Sequence, residues 1–347
     1  MSKILTTKQR TEAFVQLGNF LKAPDEQLRG LINSARQYNP WFTSQSTANA
    51  ISAIARMLNR DDLEQWIDKS GTAEAENNSE PRAILSVGLI LAGNIPLVGF
   101  HDILCVLATG HKALIKLSSQ DQKLIPYILD KLLEIEPAFN RQIEYIERLK
   151  DFDAVIATGS NNTSRYFEYY FSHVAHIIRK NRNSVAVLTG EESEEELKAL
   201  GHDIFDYFGL GCRNVSKIYV PQGYDFKTFF EFIEDFKAIS DHHKYNNNYD
   251  YNKSIFLVNL DKHLDNGFLL LKEDERIASP LAVLYYEEYD NITYLEQQLI
   301  EKAGQIQCII SSNSFNDKVV NFGQSQQPRL WDYADGVDTM MFLKSLI

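Results

Sequence analysis

The sequence predicts an α/β protein with two lobes, each built on a largely parallel β-sheet, and a helical N-terminal region. Before residue 80, apolar residues recur at helical spacing, as in TEAFVQLGNFLKA. Short apolar strands then alternate with helices, beginning with AILSVGLILA, FHDILCVLATG and HKALIKLSS, which is typical of βαβ units on a buried parallel sheet. The chain has 347 residues, a length that favours two lobes over one.

The same pattern divides the chain into four segments. Residues 1–80 form a helical region, and the polar run GTAEAENNSEP at residues 71–81 predicts a loop at its end. Residues 81–189 form the first lobe, ending with the strand SVAVLTG, and residues 190–310 form the second. The second lobe has predicted strands at SKIYVPQG, SIFLVN, SPLAVLYYEEY and IQCIISSN. Residues 311–347 are a C-terminal return segment with the apolar stretch DTMMFLKSLI.

Charge and cysteine usage exclude several classes of protein. The net charge of −12 argues against a nucleic-acid partner, because phosphate backbones bind basic faces. Three cysteines without close pairing do not form a disulfide framework, so we expect a reducing, cytoplasmic location. The N-terminal residues lack the apolar run of a signal peptide, and we expect no transmembrane segment.

Three segments of the first lobe place polar or flexible residues where predicted strands end. Asn94 follows a strand in LAGNIPLVGF, Lys116 ends the strand of HKALIKLSS, and Thr158-Gly159-Ser160 joins a strand to a helix. Ligands bind at the carboxyl ends of parallel strands, and helix N-termini attract anions. Taken singly, each also has a plainer interpretation: a turn asparagine, a solvated lysine and an ordinary helix cap.

The fourth segment, FGLGCRNVSKIYVP, carries a candidate nucleophile. Gly209 and Gly211 precede Cys212, and glycines let a backbone pass close to a ligand. Cys105 and Cys308 lie instead within apolar runs that predict core positions. A buried structural role for Cys212 and a reactive one are about equally supported by these residues alone.

Together, in this order and spacing, the four segments resemble the aldehyde dehydrogenase superfamily over about Ala83 to Tyr286. The closer similarity is to its acyl-CoA reductase branch, typified by the fatty-acyl-CoA reductase of bacterial bioluminescence. The resemblance implies two Rossmann-like lobes, the first binding a nicotinamide cofactor and the second carrying Cys212 as nucleophile. It implies an oxyanion-binding role for Asn94. The cofactor contacts it implies are Lys116, Ser118, Ser119, Gly159 and Ser160.

Departures from the family's pattern refine this expectation. Hydrolytic relatives carry a water-activating glutamate in an E-L-G-G-K segment, whereas the comparable stretch here has Ile178. Ser119 stands where many NAD-preferring relatives have glutamate, so we expect NADPH, with NADH as the alternative. Arg276 and Ser279 replace the glutamate and glycine of an E-x-F-G-P segment, which changes the expected contact with the nicotinamide ribose.

The resemblance therefore predicts NADPH-dependent reduction of an acyl-CoA or acyl-carrier thioester to an aldehyde, through an S-acyl intermediate on Cys212. Its expected partners are an acyl-activating synthetase and a second copy of the chain, with DTMMFLKSLI as a candidate oligomerisation strand. The alternatives are an acyl-phosphate reductase of the same fold, a cysteine hydrolase and a non-catalytic subunit. We expect no metal site, and the adjacent His242 and His243 predict a surface loop.

Overall fold

The computed structural model describes residues 5–70, 83–159, 161–313 and 319–346. They form two compact units: the first runs to Lys180 and resumes at Pro328, and the second comprises Asn181–Gln327. The predicted loop at residues 71–81 lies entirely outside the described residues. No helix in the described ranges is both long enough and apolar enough to cross a membrane.

Within residues 5–70, the structure has four helices before the first sheet, as the periodicity predicts. They are α1 (Thr7–Lys22), α2 (Glu26–Tyr38), α3 (Ser44–Met57) and α4 (Arg60–Ser70). Helix α1 begins with a capping box, in which Thr6 and Gln9 satisfy each other's backbone N–H groups. The apolar stripe of α1, including Phe14 and Leu17, is fully buried, so this helix is part of the core of the first unit.

The first sheet has five parallel strands in the order β3-β2-β1-β4-β5. The strands are β1 (Ser86–Ile90), β2 (Lys112–Lys116), β3 (Ile143–Tyr145), β4 (Ala154–Thr158) and β5 (Ala175–Arg179). Helices α5 (Phe100–Ala108), α6 (Leu124–Ile135) and α7 (Asn161–Tyr170) connect them. The chain first builds outward from β1 to β3 and then resumes at β4 on the other side of β1. The strand order therefore reverses between β1 and β4, where parallel sheets bind ligands.

The second sheet has seven strands in the order β12-β11-β6-β7-β10-β9-β8, and only the β8–β9 pair is antiparallel. The strands are β6 (Asn183–Val187), β7 (Val215–Pro221), β8 (Leu264–Asp265), β9 (Leu270–Glu273), β10 (Val283–Tyr289), β11 (Ile306–Ile310) and β12 (Val319–Val320). Its helices are α8 (Glu194–Phe205), α9 (Phe226–Phe232), α10 (His243–Asn259) and α11 (Ile292–Glu301). Both sheets together confirm the predicted α/β class with parallel-rich sheets.

The boundary between the units lies earlier than the sequence placed it. The strand in SVAVLTG, β6, pairs with β7 and β11 of the second sheet. The first unit accordingly ends at Lys180, rather than near residue 189. The sequence pattern shows that a strand is present but carries no information about which sheet it joins. The predicted boundary was therefore placed one strand, β6, too late in the chain.

One predicted strand and one predicted loop are wrong. SIFLVN is the last part of helix α10, which also absorbs the stretch after His242. The buried residues Tyr245, Tyr249, Asn252 and Phe256 are spaced by four, three and four, which is helical periodicity. His242 is 6% exposed and caps this helix by accepting the Tyr245 N–H. A short apolar run cannot distinguish strand from helix, and the polar residues upstream hid the period.

The predicted oligomerisation strand is also wrong in its secondary structure. DTMMFLKSLI holds helix α12 (Thr339–Lys344), capped by Asp338 and buried through Thr339, Met340 and Leu343. This helix packs on α5 in the first unit. Its apolar residues are thus used within the chain, which the sequence could not show because the partner helix lies more than 200 residues earlier.

Arg179, at the end of β5, fixes this returning segment. Its guanidinium is 4% exposed and makes a bidentate ion pair with Asp102 at 2.5 and 3.0 Å. The same side chain donates to the Ala334 carbonyl at 2.7 Å and to the Thr339 hydroxyl at 2.9 Å. The first unit therefore contains residues 328–346 as an integral part.

Candidate active site

The carboxyl edge of the first sheet gathers the predicted Asn94 and cofactor residues. Ile90 of β1 is in register with Lys116 of β2 and with Ala157 of β4, so these three neighbouring strands end together. Lys116 is the last residue of β2, and the loops that follow the three strands carry Asn94, Ser118, Ser119 and Gly159. Ser160 lies outside the described residues. The loops thus flank the point where the strand order reverses.

The Asn94 loop approaches the loop after β2 closely. A Cβ on Gly93 would lie 2.5 Å from Ser118 Oγ and 2.8 Å from Ser118 Cβ, so a side chain fits there only if Ser118 shifts. Asn94 itself is half-buried. The backbone of this loop therefore lies against Ser118, one of the predicted cofactor residues.

Asp121 holds the same loop by hydrogen bonds. Its carboxyl is 5% exposed and accepts the N–H of Leu97 at 2.9 Å and that of Leu124, the first residue of α6, at 3.3 Å. Leu97 has a left-handed backbone, with φ of 61°, and such a conformation persists when its surroundings hold it. Burial raises the pKa of Asp121. Asp121 was not among the predicted site residues, although an acid three positions before a helix start is a recognisable cap.

The remaining predicted cofactor residues differ in exposure. Lys116 and Ser119 are exposed, and Ser118 is half-buried with its hydroxyl accepting the Gln120 N–H at 3.2 Å. Lys116 can therefore present an ammonium at the strand end, where a ribose or phosphate oxygen would accept a hydrogen bond. Ser119 places a neutral side chain at the same edge.

Gly159 lets helix α7 start close to the end of β4. A Cβ at this position would lie 3.0 Å from Thr163 Cβ and 3.1 Å from the Phe167 ring. Such close strand-to-helix packing is one of the roles of glycine in dinucleotide-binding turns. The described geometry is therefore suited to a phosphate at the N-terminus of α7.

In the second unit, Cys212 occupies a β-turn at the amino end of β7. The Asn214 N–H donates to the Gly211 carbonyl at 3.0 Å, which makes Cys212 the second residue of the turn. The Cys212 carbonyl accepts from the Ser184 hydroxyl at 3.1 Å. Cys212 is half-buried, whereas Cys105 and Cys308 are buried.

The Asn214 side chain closes the turn a second time. Its Oδ1 accepts the Gly211 N–H at 2.8 Å. Its Nδ2 lies 2.8 Å from the Asp206 carbonyl, 3.1 Å from that of Asp203 and 3.4 Å from that of Ile204. The side chain therefore links the turn to the end of helix α8. The sequence analysis missed Asn214, although an asparagine two residues after the cysteine is a typical turn residue.

The residues between α8 and the turn have an unusual backbone. Tyr207, Phe208 and Gly209 follow one another with φ of 53°, 61° and 77°. Non-glycine residues in the left-handed region cost of the order of 1–3 kcal/mol each and concentrate at functional sites. The segment leading to Cys212 is thus strained and needs support from its surroundings.

Two further residues surround the Cys212 turn within the second unit. The Ser184 hydroxyl, fully buried, lies 3.0 Å from Cys308 Sγ as well as contacting the Cys212 carbonyl. Burial raises the pKa of the Cys308 thiol, which keeps it protonated at neutral pH. Cys308 is therefore a poor nucleophile beside the more exposed Cys212.

The segment with Arg276 runs beside the start of β7. Ser216 donates to the Ile277 carbonyl at 2.7 Å. Arg276 is an exposed side chain paired with both carboxylate oxygens of Asp274, at 2.5 and 2.8 Å, and stacked 5.1 Å from the Tyr285 ring centroid. Arg276, which the resemblance aligned with the glutamate of an E-x-F-G-P segment, is thus neutralised by Asp274.

Two other expectations concern acids and metals. Ile178, which the resemblance aligned with the water-activating glutamate of hydrolytic relatives, is a half-buried residue of β5. Among the residues that the structure describes, no three His, Cys, Asp or Glu side chains are grouped to hold a metal ion. The chemistry that this arrangement offers comes from a thiol, an amide, a lysine and backbone N–H groups.

Comparison with known families extends these observations. The family model described as acyl-CoA reductase (LuxC) matches residues 37–239, which is more than half of the chain and includes Asn94, Lys116, Gly159 and Cys212. A search of curated proteins gives no match.

Solved structures of aldehyde dehydrogenases share the fold. An NAD-dependent aldehyde dehydrogenase from Sinorhizobium meliloti superposes with a TM-score of 0.65 at 10% identity, covering 90% of this chain and 72% of that one. The betaine aldehyde dehydrogenase of Staphylococcus aureus gives 0.63 at 14% identity, covering 88% and 71%. An NAD+ complex of an aldehyde dehydrogenase from Bacillus cereus gives 0.61 at 14% identity, covering 89% and 72%. At these identities the likeness shows the fold, and it confirms the predicted architecture.

Proposed function

Because this chain belongs to the acyl-CoA reductase (LuxC) family and is thus an oxidoreductase, we propose that it reduces an acyl thioester to an aldehyde with NADPH. In this proposal Cys212 carries the acyl group. The observation that supports it most is the placement of Cys212 in a doubly closed turn, half-buried, while Cys105 and Cys308 are core residues. A thiol held this way suits nucleophilic attack.

The chain's own residues account for most of the chemistry. The Cys212 thiolate attacks the thioester carbonyl, its sulfur forms the new C–S bond, and the CoA sulfur leaves as thiolate. The backbone N–H of Cys212 receives the oxyanion, and loss of one such donor typically costs roughly 10²–10³ in rate. NADPH, when bound, supplies the hydride that converts the S-acyl group to a thiohemiacetal. The Cys212 sulfur then leaves, and the product is the free aldehyde.

The carboxyl edge of the first sheet is the proposed cofactor site. Lys116 would bond the adenosine ribose, and the N–H groups at the start of α7, reached past Gly159, would face the pyrophosphate. Gly93 and Gly159 let the Asn94 loop and helix α7 pack closely at this edge, against Ser118 and against Thr163 and Phe167. The NAD+ complex of the Bacillus cereus relative supports a nicotinamide dinucleotide on this fold.

The choice of NADPH rests on Ser119, an exposed neutral residue at that edge. Introducing a carboxylate by S119E should repel a 2′-phosphate, since like charges in a partly screened site cost on the order of 1 kcal/mol or more. We expect the ratio of kcat/KM for NADPH to that for NADH to fall at least about tenfold, with S119A unchanged. An unchanged ratio in S119E would place the 2′-hydroxyl elsewhere.

Ile178 would preserve the intermediate. Without a carboxylate to activate water, the S-acyl group survives until it is reduced. An I178E variant should release free fatty acid from acyl-CoA faster than the wild type, whereas I178V should not. Mass spectrometry of the products separates acid from aldehyde.

The decisive experiment compares the cysteines. C212A should form no aldehyde and should not be labelled by radioactive acyl-CoA, while C308A and C105A should remain labelled if folded. The substrate panel should include acyl-CoA of several chain lengths, an acyl-carrier thioester and an acyl phosphate. Aldehyde formation by C212A would overturn the proposed mechanism, and a clear preference for acyl phosphate would favour the acyl-phosphate reductase.

We also propose a cytoplasmic location and assembly with a second copy and an acyl-activating synthetase. Three free cysteines fit a reducing compartment. Helix α12 is packed within the first unit, so a homodimer would have to use another surface. Sedimentation velocity of the purified chain, alone and with the synthetase that supplies its thioester, measures both assemblies, and a monomer in both samples would contradict them.

A further inference from the structure

The Cys212 turn and the strained segment before it share one side chain. Asn214 bonds the Gly211 N–H on one side of residues 207–209 and the carbonyls at the end of α8 on the other side. The two anchor points enclose the left-handed residues Tyr207 and Phe208. An unfavourable backbone conformation is stable only where its neighbours determine it. The carboxamide is the group that spans this segment.

The hydrogen-bonding chemistry of the site selects an amide. Asn214 is 1% exposed, its oxygen meets a single donor, and its NH₂ meets only carbonyl oxygens. A carboxylate of the same shape could accept the Gly211 N–H but would face the carbonyls of Asp203 and Asp206 with an oxygen. A buried acceptor left facing acceptors is costly. The amide is therefore matched to both ends of the segment.

From this geometry we propose that Asn214 is a positioning residue for catalysis. Its carboxamide fixes the backbone at Cys212, and with it the direction of the thiolate and of the Cys212 N–H, while it makes no contact with substrate. Ser184 supports the same turn by donating to the Cys212 carbonyl at 3.1 Å. The inference deepens the proposed function and depends on Cys212 being the nucleophile.

The test replaces the amide by its isostere. N214D keeps size and the acceptor but loses both N–H donors. We expect kcat for aldehyde formation to fall about 10²-fold, the order of loss for a misplaced reacting group. KM for acyl-CoA should stay within about threefold, because Asn214 does not bind substrate. Alkylation of Cys212 by iodoacetamide should slow in parallel with kcat.

The matched control is N266D in the same unit. Asn266 accepts the Leu269 N–H at 2.8 Å, and its buried Nδ2 has no hydrogen-bond partner among the described residues. The same substitution therefore removes a donor that bonds nothing. We expect N266D to keep the wild-type kcat. Equal losses in N266D and N214D would overturn the inference.

A pH profile distinguishes positioning from a general loss of structure. When protonated, the carboxyl introduced by N214D can again donate to a carbonyl while accepting the Gly211 N–H. The ratio of kcat in N214D to that in the wild type should therefore rise as the pH falls from about 8 to about 6. A ratio that is constant or falls over this range would contradict the inference.

If N214D does not fold, N214S decides the question. A serine hydroxyl is too short to bridge from the turn to the α8 carbonyls, so kcat should again fall with KM retained. Full kcat in folded N214S would refute the positioning role. The two proposals fail separately: an active C212A overturns the nucleophile, whereas an inactive C212A with a fully active N214S overturns only Asn214.

Discussion

The two candidate regions of this protein are built in opposite ways. The carboxyl edge of the first sheet is shaped by the absence of side chains, since Gly93 and Gly159 allow backbone and helix to approach closely. The Cys212 turn is shaped by buried polar side chains, since Asn214 and Ser184 hydrogen-bond its backbone. The first region depends on close packing of backbone against side chains, whereas the second depends on hydrogen bonds that fix the backbone at Cys212.

This difference teaches where each region should be sensitive. A region shaped by close approach should be damaged most by added volume. A region held by polar groups should be damaged by loss of a donor or acceptor. Each region has one buried carboxyl group that tests the rule: Asp121 supports the Asn94 loop, and Asp203 supports the helix end to which Asn214 is bonded.

The largest expected effect is on stability: Asp203 should make the free energy of unfolding depend on pH. Burial raises the pKa of Asp203 from 3.8 to about 6, although the N–H groups of Gly323 and Ser325 bond its carboxyl. The folded chain therefore holds a proton that the unfolded chain releases between about pH 4 and pH 6. Stability should fall over this window by about 3 kcal/mol as the pH rises, and the loss is complete above about pH 6.

The measurement is chemical denaturation of the wild type and D203N across that pH range. The unfolding free energy of the wild type minus that of D203N should decrease from about pH 4 to about pH 6 and then stay constant. An upward slope would mean that the two N–H groups outweigh burial and hold the charged form.

The next effect concerns Asp121. D121A removes the acceptor for the N–H groups of Leu97 and Leu124 and leaves both in a buried site, which should cost about 2–3 kcal/mol of unfolding free energy. The Asn94 loop should loosen, so kcat for aldehyde formation should also fall. Asp130 is an exposed acid on α6, and D130A is the control. Wild-type kcat in D121A would show that the Asn94 loop needs no polar support.

Added volume at Gly93 should have a smaller effect on stability, about 1–3 kcal/mol, because the Ser118 side chain can shift. G93A should raise KM for NADPH, and S118G in the same chain should partly restore it by making room. The control is G30A on α2, where a Cβ meets nothing within 4 Å; it should stabilise the protein by up to about 1 kcal/mol. An unchanged KM in G93A would contradict the view that close approach of backbone to side chain shapes this edge.

Ser184 should give the smallest effect. S184A deletes one hydrogen bond to the Cys212 carbonyl and should cost about 1 kcal/mol and lower kcat about fivefold. Ser311 follows β11 and donates to the carbonyl of Val187, at the other end of β6 from Ser184, at 3.0 Å. S311A should cost similar stability and leave kcat unchanged. Equal kcat losses would show that any weakening of this sheet impairs the reaction.

The sequence predicted much of the fold because the strands of a buried parallel sheet are short apolar runs. It also predicted the residues of the first sheet's edge, since Asn94, Lys116 and Gly159 directly follow such runs. It failed at SIFLVN because helix α10 buries tyrosines and an asparagine while Leu257 and Val258 are exposed, so its apolar residues do not follow the helical period. The local sequence pattern is therefore sufficient to locate candidate site residues that lie at or just after strand ends.

The supports of the Cys212 turn could not be predicted in the same way. Ser184 is 28 residues from the cysteine whose carbonyl it bonds. The role of Asn214 depends on left-handed backbone at Tyr207 and Phe208, two residue types that rarely adopt it. Neither a spacing rule nor a propensity encodes these contacts, because they arise when the sheet and helix α8 are already in place.

The bonds that Arg179 makes to residues 334 and 339 have a consequence for biosynthesis. Because the first unit resumes at Pro328, the second unit is an insertion in it, with both of its ends joined to the same body. During translation, the N-terminal part of the first unit has an incomplete core until residues 328–346 have been made. Until then Arg179 also lacks its partners at residues 334 and 339. In a released chain truncated after Gln327, the second unit should accordingly be better protected from protease than the first unit.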